Sequence, residues 1–259
     1  MANFYGKSSC ESGHIAPQPP PSPQSYAEGI VEIAKNGFGF LCELNRGLVQ
    51  SNDVIFITPD VVQKYAIRHG MWICGETRCD GRGEQLFKLT GLESKDPDNF
   101  PSCPIFESLT PIKPNMRICL ESVAERYTTR LVDLMTAIGK GQCGLIVGAP
   151  RTGKTTYLLH IAEAVVKNHP ELKLIILLVN ERLEEITDIR NALPTAELMA
   201  SSIDGDVNTH VHITQLAVER AKRLVELGND VIILMDSLTR IGQAFIHIQP
   251  GVEAAQALV

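Results

Sequence analysis

Short apolar segments separated by turn residues fill the chain between about residues 27 and 95. Five of them have the length and residue types of β-strands, with Asn, Gly and Asp between them. Five short strands within ~70 residues predict a small closed all-β barrel. Residues 59–65, between the third and the fourth, predict one turn of helix. The predicted strands are residues 29–33, 37–41, 54–58, 71–77 and 85–89.

The second half of the chain alternates apolar strands with segments of helical periodicity. This alternation predicts an α/β fold, with a mostly parallel sheet covered by helices. One helix is expected to follow the first strand from Thr155, and another to cover residues 211–227 with Gly228 as its C-cap. The predicted strands are residues 144–148, 174–179 and 230–235.

Two proline-rich stretches separate these regions from each other and from the N-terminus. Residues 1–26 contain the run P-Q-P-P-P-S-P and few large apolar side chains, so we expect a disordered tail. Residues 97–127 hold five prolines. We therefore predict a barrel domain at residues 27–99, a connector at 100–127 and an α/β domain at 128–259.

Composition is that of a water-soluble globular protein, with 44% apolar and 21% charged residues. No apolar run approaches the ~18 residues of a membrane span, and the N-terminus lacks the apolar core of a signal peptide. The seven cysteines have no zinc-type spacing, which favours a reducing, cytoplasmic compartment. The net charge of −6 supplies no general attraction to nucleic acid, so any RNA affinity must come from a local site.

Residues 148–155 read G-A-P-R-T-G-K-T, a full match to the phosphate-loop pattern G-x-x-x-x-G-K-[ST]. A strand before this loop and a helix after it would aim backbone N–H groups and the positive helix end at the phosphates of a nucleotide. Lys154 is expected to reach the β- and γ-phosphates, and the Thr155 hydroxyl to bind Mg²⁺. Asp236, at the end of a later predicted strand, is the second candidate Mg²⁺ ligand.

Glu181 and Arg182 end another predicted strand and are candidates for ATP hydrolysis. A glutamate there can orient or deprotonate the attacking water, and an arginine can contact the γ-phosphate. The adjacent Glu184 and Glu185 leave an alternative open, in which these charges are the solvated start of a helix.

Several segments, taken in order, resemble the bacterial transcription termination factor Rho over nearly the whole chain. The resemblance implies a cold-shock-like OB-fold barrel that binds single-stranded, pyrimidine-rich RNA, followed by a RecA-like P-loop ATPase domain that works as a homo-hexamer. In that family, ATP hydrolysis moves the ring along nascent RNA until the transcript leaves the RNA polymerase elongation complex. A different RecA-like ring ATPase, such as a rotary-ATPase subunit, is disfavoured by residues 37–41 ahead of the ATPase. The matching segments are residues 37–41, 50–53, 125–134, 138–147, the phosphate loop, 181–182 and 236–240.

The resemblance also implies sites for both ligands. Phe38, Phe40 and Phe56 carry rings on which bases can stack. Since Phe38 and Phe40 share one side of a strand, we expect them to be exposed together or buried together. The implied RNA contacts are Gly37, Phe38, Gly39, Phe40, Leu41, Cys42, Val54, Ile55, Phe56, Glu84, Gln85 and Leu86. The implied ATP contacts are Gly139, Lys140, Gly141, Gln142, Cys143, Gly144, Arg151, Thr152, Gly153, Lys154, Thr155, Thr156 and Arg182, with Glu181 as the catalytic base.

The sequence departs from the family pattern at positions that affect both activities. Cys42 and Leu86 stand where the family usually has an arginine and an aromatic residue, and Cys143 and Asn180 replace a usual arginine and aspartate. Beyond Arg240 the likeness is loose, and we expect the RecA-like domain to be incomplete, without its pore loops and arginine finger. Two functions stay open: an RNA-dependent ATPase and translocase acting on nascent transcripts, or a truncated copy that binds RNA and ATP without productive hydrolysis.

Overall fold

The structure is a computed structural model. It describes residues 25–34, 36–42, 55–80, 83–93, 95–100, 103–111, 113–123, 125–149 and 151–248. The predicted disordered tail up to residue 24, the segment 50–53, the implied RNA contact Val54 and everything after Ile248 lie outside the described residues.

The first half folds as the predicted closed barrel, with the strand order β1-β2-β3-β5-β4. Alternate side chains point inward, and Val31, Ile57, Ile73 and Leu92 pack in the interior. The elements are β1 (Ser25–Ile33), β2 (Gly39–Cys42), β3 (Ile55–Ile57), α1 (Pro59–Lys64), β4 (Trp72–Asp80) and β5 (Gly83–Leu92). The predicted helical turn after the third strand is confirmed by α1, which begins at a proline and has Asp60 in its first turn.

Short elements that were not predicted lie at the end of the predicted connector and at the start of the predicted α/β domain. They are the antiparallel pair β6 (Arg117–Ile118) and β7 (Ile138–Gly139), with helix α2 (Tyr127–Met135) between them. Asp133 of α2 is buried, and its carboxylate accepts the backbone N–H groups of Leu120 and Glu121 at 2.8 and 2.6 Å. These bonds tie the chain entering the second half to α2.

A three-stranded parallel sheet in the order β10-β8-β9 forms the core of the second half. Helices α3 and α4 pack on one face of β8 and helices α5 and α6 on the other, because successive β8 side chains alternate between the two apolar clusters. The elements are α3 (Lys154–Asn168), β8 (Lys173–Glu181), α4 (Leu183–Ala192), β9 (Glu197–Ser202), α5 (Val207–Glu226), β10 (Val231–Asp236) and α6 (Leu238–Ile248). Gly228 follows α5 in the left-handed conformation, as predicted. None of the described helices is long and apolar enough to cross a membrane.

The strand predicted at residues 144–148 is wrong. In the structure this segment has no regular secondary structure, and Leu145 and Val147 are 71% and 84% exposed. An apolar run forms a strand only when its backbone pairs with a neighbouring strand, and residues 144–148 do not pair with the open edge of β10. One edge of β10 consequently stays unpaired within the described sheet, and its residues 231–235 are only partly buried.

The barrel packs directly on α5. Ile30 of β1 is fully buried in the same apolar cluster as Leu216 of α5. Gly70 lies so close to α5 that a Cβ atom there would be 2.6 Å from the carbonyl carbon of Glu219. This close approach requires glycine and fixes the barrel against the helix.

Two ion pairs, one fully buried and one partly buried, cross the same interface. The Arg220 guanidinium on α5 donates to Glu93 at 2.6 Å and to Glu197 at 2.9 Å. Arg68 of the barrel donates to Glu226 at the end of α5 through both of its terminal nitrogens. Apolar packing and matched charges therefore join the two halves into one unit.

Candidate functional site

The glycine-rich turn leads directly into α3. Gly153, just before the helix, has a φ of 82°, a left-handed conformation that glycine adopts without strain. The Lys154 ammonium donates to the carbonyl oxygens of Gly148 and Ala149, at 3.0 and 2.7 Å. A cation held over the unpaired N–H groups of a helix N-terminus forms a site for an anion.

Thr155 and Asp236 meet although 81 positions separate them in the sequence. The Thr155 hydroxyl donates to Oδ2 of Asp236 at 2.7 Å, and Asp236 is buried at the end of β10. The structure thus brings the two predicted Mg²⁺ ligands together. One of them, Thr155, directly follows the loop lysine Lys154. Hydroxyl and carboxylate oxygens are ligands that Mg²⁺ accepts together with phosphate oxygens and water. The described residues contain no cluster of three or more His, Cys, Asp or Glu placed to hold a metal ion alone, so phosphate and water would have to complete the shell.

Glu181 lies buried at the end of β8, at the same edge of the sheet as Asp236. Asp236 pairs with Leu178, three residues before Glu181, so both carboxylates end adjacent parallel strands. Glu181 forms an ion pair with Arg240 of α6, which also donates to the Asn180 carbonyl at 2.6 Å. Burial raises the pKa of Glu181 above its usual range, and the Arg240 guanidinium opposes that shift.

Arg182 differs from its neighbour Glu181 in its exposure to solvent. It is exposed at the N-cap of α4, and its guanidinium has no partner among the described residues. The solvated-helix interpretation therefore fits Arg182 but not the buried Glu181. The role of Arg240 was missed in the sequence, although its position four residues after Asp236, in the first turn of the next helix, was a usable signal.

Aromatic side chains occupy the outward side of β2 and β3 on the barrel. Phe38 and Phe56 are 41% and 37% exposed, and Phe40 is partly buried. The Phe40 and Phe56 rings meet edge to face, with centroids 5.4 Å apart. Phe38 and Phe40 both lie outside the buried core, as their shared side of the strand predicts. The three rings form a surface on which bases can stack.

Comparisons with known families divide the chain into the same two regions. Residues 27–97 match the family described as "Rho termination factor, RNA-binding domain", and residues 128–255 match "ATP synthase alpha/beta family, nucleotide-binding domain". Transcription termination factor Rho from Buchnera aphidicola subsp. Schizaphis graminum is 38% identical over 232 residues, and Rho from Aquifex aeolicus is 40% identical over 231. Both alignments cover 87% of this chain. The chain belongs to the Rho family.

The chain spans about half the length of the Rho relatives it matches, 55% and 53% for the two named above. Among solved structures, the ATP synthase subunit NeqB from Nanoarcheaum equitans is similar with a TM-score of 0.45 and 20% identity. That similarity covers 53% of this chain and 34% of NeqB.

The ATP contacts implied by Rho fall into two places in the structure. Arg151 to Thr156 lie in the phosphate loop and the first turn of α3. Residues 139–142 instead lie near the start of β10, at the opposite end of that strand from Asp236. Lys140 pairs with Asp230 at 2.7 Å, just before β10 begins. Asp230 and Asp236 are six strand positions apart, roughly 20 Å. The structure therefore does not bring residues 139–142 to the phosphate loop, whereas the exposed Cys143 and Gly144 begin the segment that leads to it.

The RNA contacts implied by Rho also need correction. The side chains of Leu41, Ile55 and Leu86 are buried in the barrel interior, so they cannot touch a base. Alternation places every second strand residue inside the barrel, and these three fall on the inner side. Leu86, where the family usually has an aromatic ring, is only 2% exposed.

Two further implied contacts have limited capacity to bind RNA, because one is engaged within the barrel and the other is an uncharged thiol. Glu84 accepts hydrogen bonds from the Ser25 and Thr77 hydroxyls, both at 2.5 Å. Burial raises the pKa of the Cys42 thiol to about 12, so it stays neutral. The residue next to Leu86, Phe87, is exposed, and the resemblance did not point to it.

Proposed function

We propose that this chain is an RNA-binding, ATP-dependent transcription termination factor of the Rho type, which couples ATP hydrolysis to movement along nascent RNA. The observation that carries the proposal is the contact between Thr155 and Asp236 beside Lys154, in a chain whose barrel carries neighbouring aromatic rings on its outer side. A hexameric ring and the RNA polymerase elongation complex are part of the proposal, by similarity to Rho.

The residues around the phosphate loop have defined parts in this proposal. Lys154 and the first N–H groups of α3 would bind the phosphates of ATP. Thr155 and Asp236 would hold Mg²⁺, which neutralises charge on the β- and γ-phosphate oxygens when bound. The hydrogen bonds from Lys154 to the loop carbonyls would be exchanged for bonds to phosphate, since the ammonium can rotate on its flexible stem.

Glu181 is the proposed general base. It is buried, it ends the strand adjacent to Asp236, and a raised pKa makes a carboxylate a stronger base toward water. Arg240 would act as a positioning residue, because its ion pair and its bond to the Asn180 carbonyl set where the carboxylate points. Arg182, exposed one residue later, is free to contact the γ-phosphate.

Base stacking on Phe38, Phe40 and Phe56 is the proposed mode of RNA binding. Stacking on an aromatic side chain stabilises binding by ~1–3 kcal/mol per base, and every base has a π-face, so sequence preference is mild. Such binding does not require a strongly basic surface, which suits a chain with a net charge of −6.

The test is ATP hydrolysis with and without single-stranded polycytidine. We expect turnover that polycytidine stimulates and that Lys154→Ala reduces by ~10²-fold or more. Lys167→Ala, a matched change in the last turn of the same helix, should leave the rate near that of the parent. If ATP and polycytidine both bind but turnover is never stimulated, the chain is a binding module and the proposed enzyme activity is wrong. Light scattering would report in parallel whether a ring forms.

A further inference from the structure

A β-bulge on the outer side of the barrel exposes an aromatic ring and a lysine side by side. On β4 and β5, Glu76 pairs with Lys88 but Thr77 pairs with Leu86, which leaves Phe87 as an extra residue. A bulge turns two consecutive side chains to the same side of a sheet. Phe87 and Lys88 are accordingly both exposed, whereas Leu86 points into the barrel.

A glycine on the facing strand helps to fix this geometry. A Cβ atom on Gly75 would lie 2.3 Å from the carbonyl oxygen of Lys88, so a larger residue would force the two strands apart. The outward position of Phe87 and Lys88 is therefore built into the hairpin backbone.

Positive charge surrounds the exposed ring. The Arg78 guanidinium lies over the Phe87 ring, 4.7 Å from its centroid, while the ring remains 56% exposed. Arg78 covers part of the ring, and the exposed remainder is the surface that a base could contact. The Lys88 ammonium has no hydrogen-bond or ion-pair partner in the part of the chain that the structure describes. Glu76 is the residue that faces Lys88 across the two strands. Its carboxylate oxygens lie more than 4 Å from the Lys88 ammonium, so the two do not form an ion pair.

This bulge continues the aromatic surface already described. Phe56 pairs with Gln85 across β3 and β5, and its ring lies 3.3 Å from the position of a Cβ on Gly83. Gln85 and Phe87 are two residues apart and so lie on the same side of β5, ~7 Å from each other along the strand. An RNA molecule that crosses the barrel from Phe38 over Phe56 would therefore reach Phe87 next.

We propose that Phe87, Lys88 and Arg78 form an additional subsite for single-stranded RNA, in which a base stacks on Phe87 and the two cations contact the flanking phosphates. This inference rests on the proposed RNA-binding function. An isolated exposed phenylalanine would not support it. The combination of an aromatic face with two cations, continuous with other exposed rings, matches the chemistry of a nucleotide.

The test measures the binding of a fluorescein-labelled oligocytidine to the full chain by fluorescence anisotropy, without ATP. Phe87→Ala should weaken binding of a long oligomer by about 5- to 150-fold, the range expected for loss of one stacked base. Phe87→Tyr keeps the ring and should keep the affinity. Lys88→Gln should lower the slope of log K against log[salt] by about one phosphate contact. The matched controls are Tyr127→Ala, an exposed aromatic on α2, and Lys113→Gln, both expected to match the parent.

The possible outcomes distinguish a failure of the proposed RNA-binding function from a failure of the additional subsite alone. If the parent chain does not bind oligocytidine at all, the proposed RNA-binding function is wrong. If the parent binds and Phe38→Ala weakens binding while Phe87→Ala behaves like Tyr127→Ala, only the additional subsite is wrong. The subsite also requires that the effect of Phe87→Ala disappears with an oligomer too short to reach past Phe56. An equal effect on short and long oligomers would overturn it.

Discussion

Arg220 is the residue whose loss should most weaken the attachment of the barrel to the α/β half. It is buried on α5 between Glu93, which follows β5, and Glu197 at the start of β9. We predict that Arg220→Met lowers the free energy of unfolding by about 3–5 kcal/mol, the usual loss when one partner of a buried ion pair is removed. Methionine keeps most of the aliphatic stem, so the loss reflects charge more than volume.

The expected loss of unfolding free energy follows from the carboxylates that would remain unpaired without Arg220. Its side chain donates to Glu93 at 2.6 and 2.8 Å and to Glu197 twice at 2.9 Å. The Glu93 side chain is almost fully buried, so without Arg220 its charge would have no water to solvate it. Since folded proteins are stable by only ~5–15 kcal/mol, the loss would be a large part of the total.

Urea unfolding followed by circular dichroism and by the fluorescence of Trp72, the single tryptophan, would measure the loss. Trp72 reports on the right place, because the Arg220 guanidinium lies 6.0 Å from its ring. The matched control is Arg130→Met, whose pair with Glu121 at 3.5 Å is half exposed on both sides and should contribute under ~1 kcal/mol. Equal, small losses for the two variants would refute the claim that charge pairing holds the barrel in place.

Three further predictions test particular features of the fold. Leu145→Ala should change stability by less than ~0.5 kcal/mol because Leu145 is exposed, whereas a loss of ~2–5 kcal/mol by the same urea assay would mean that the segment is a buried strand after all. Gly75→Ala should cost about 1–3 kcal/mol through the clash with the Lys88 carbonyl, and a neutral result would contradict the bulge. His212 pairs with Glu32 at 2.5 Å, which raises the pKa of His212 and lowers that of Glu32. The raised pKa of His212 stabilises the fold fully below pH ~6.5, and this effect is lost as the pH rises through that raised pKa. The lowered pKa of Glu32 stabilises the fold fully above pH ~4.5, and this effect is lost as the pH falls through that lowered pKa, so the pair should stabilise most between these two values. His212→Gln should remove this pH dependence, worth under ~1 kcal/mol because both side chains are partly exposed; an unchanged pH profile would contradict the pairing.

Sequence patterns predicted most of the architecture because the signals were local. The barrel strands alternate inward and outward residues, and the phosphate loop matches its pattern at every defined position. β9 escaped prediction because E-L-M-A-S-S contains no β-branched residue, and its strand form depends on pairing with β8. The opposite error arose at residues 144–148, which have a strand-like composition but do not pair with the open edge of β10.

The site residues were harder to predict because they depend on register. A single extra residue at Phe87 decides that both Phe87 and Lys88 lie outside the barrel, and no sequence pattern shows where a bulge will form. The contact between Thr155 and Asp236 was predictable, since motif and strand end each point to the same edge of the sheet. The position of Arg240 after Asp236 pointed to a residue near the site, but its pairing with Glu181 depends on where α6 packs.

One apolar cluster lies between the barrel that carries the proposed RNA-binding face and the helix that carries the partner of the proposed catalytic base. It contains Ile30 of the barrel, Leu216 of α5 and Ile241 of α6, each fully buried. Ile241 directly follows Arg240, the partner of Glu181. Close-packed interiors do not deform continuously, so a displacement of β1 would have to be accommodated by moving α5 and α6 with it. The orientation of the proposed catalytic base is therefore set by the same packing that holds the barrel against α5, which gives the proposed RNA-dependent hydrolysis a physical basis within a single chain.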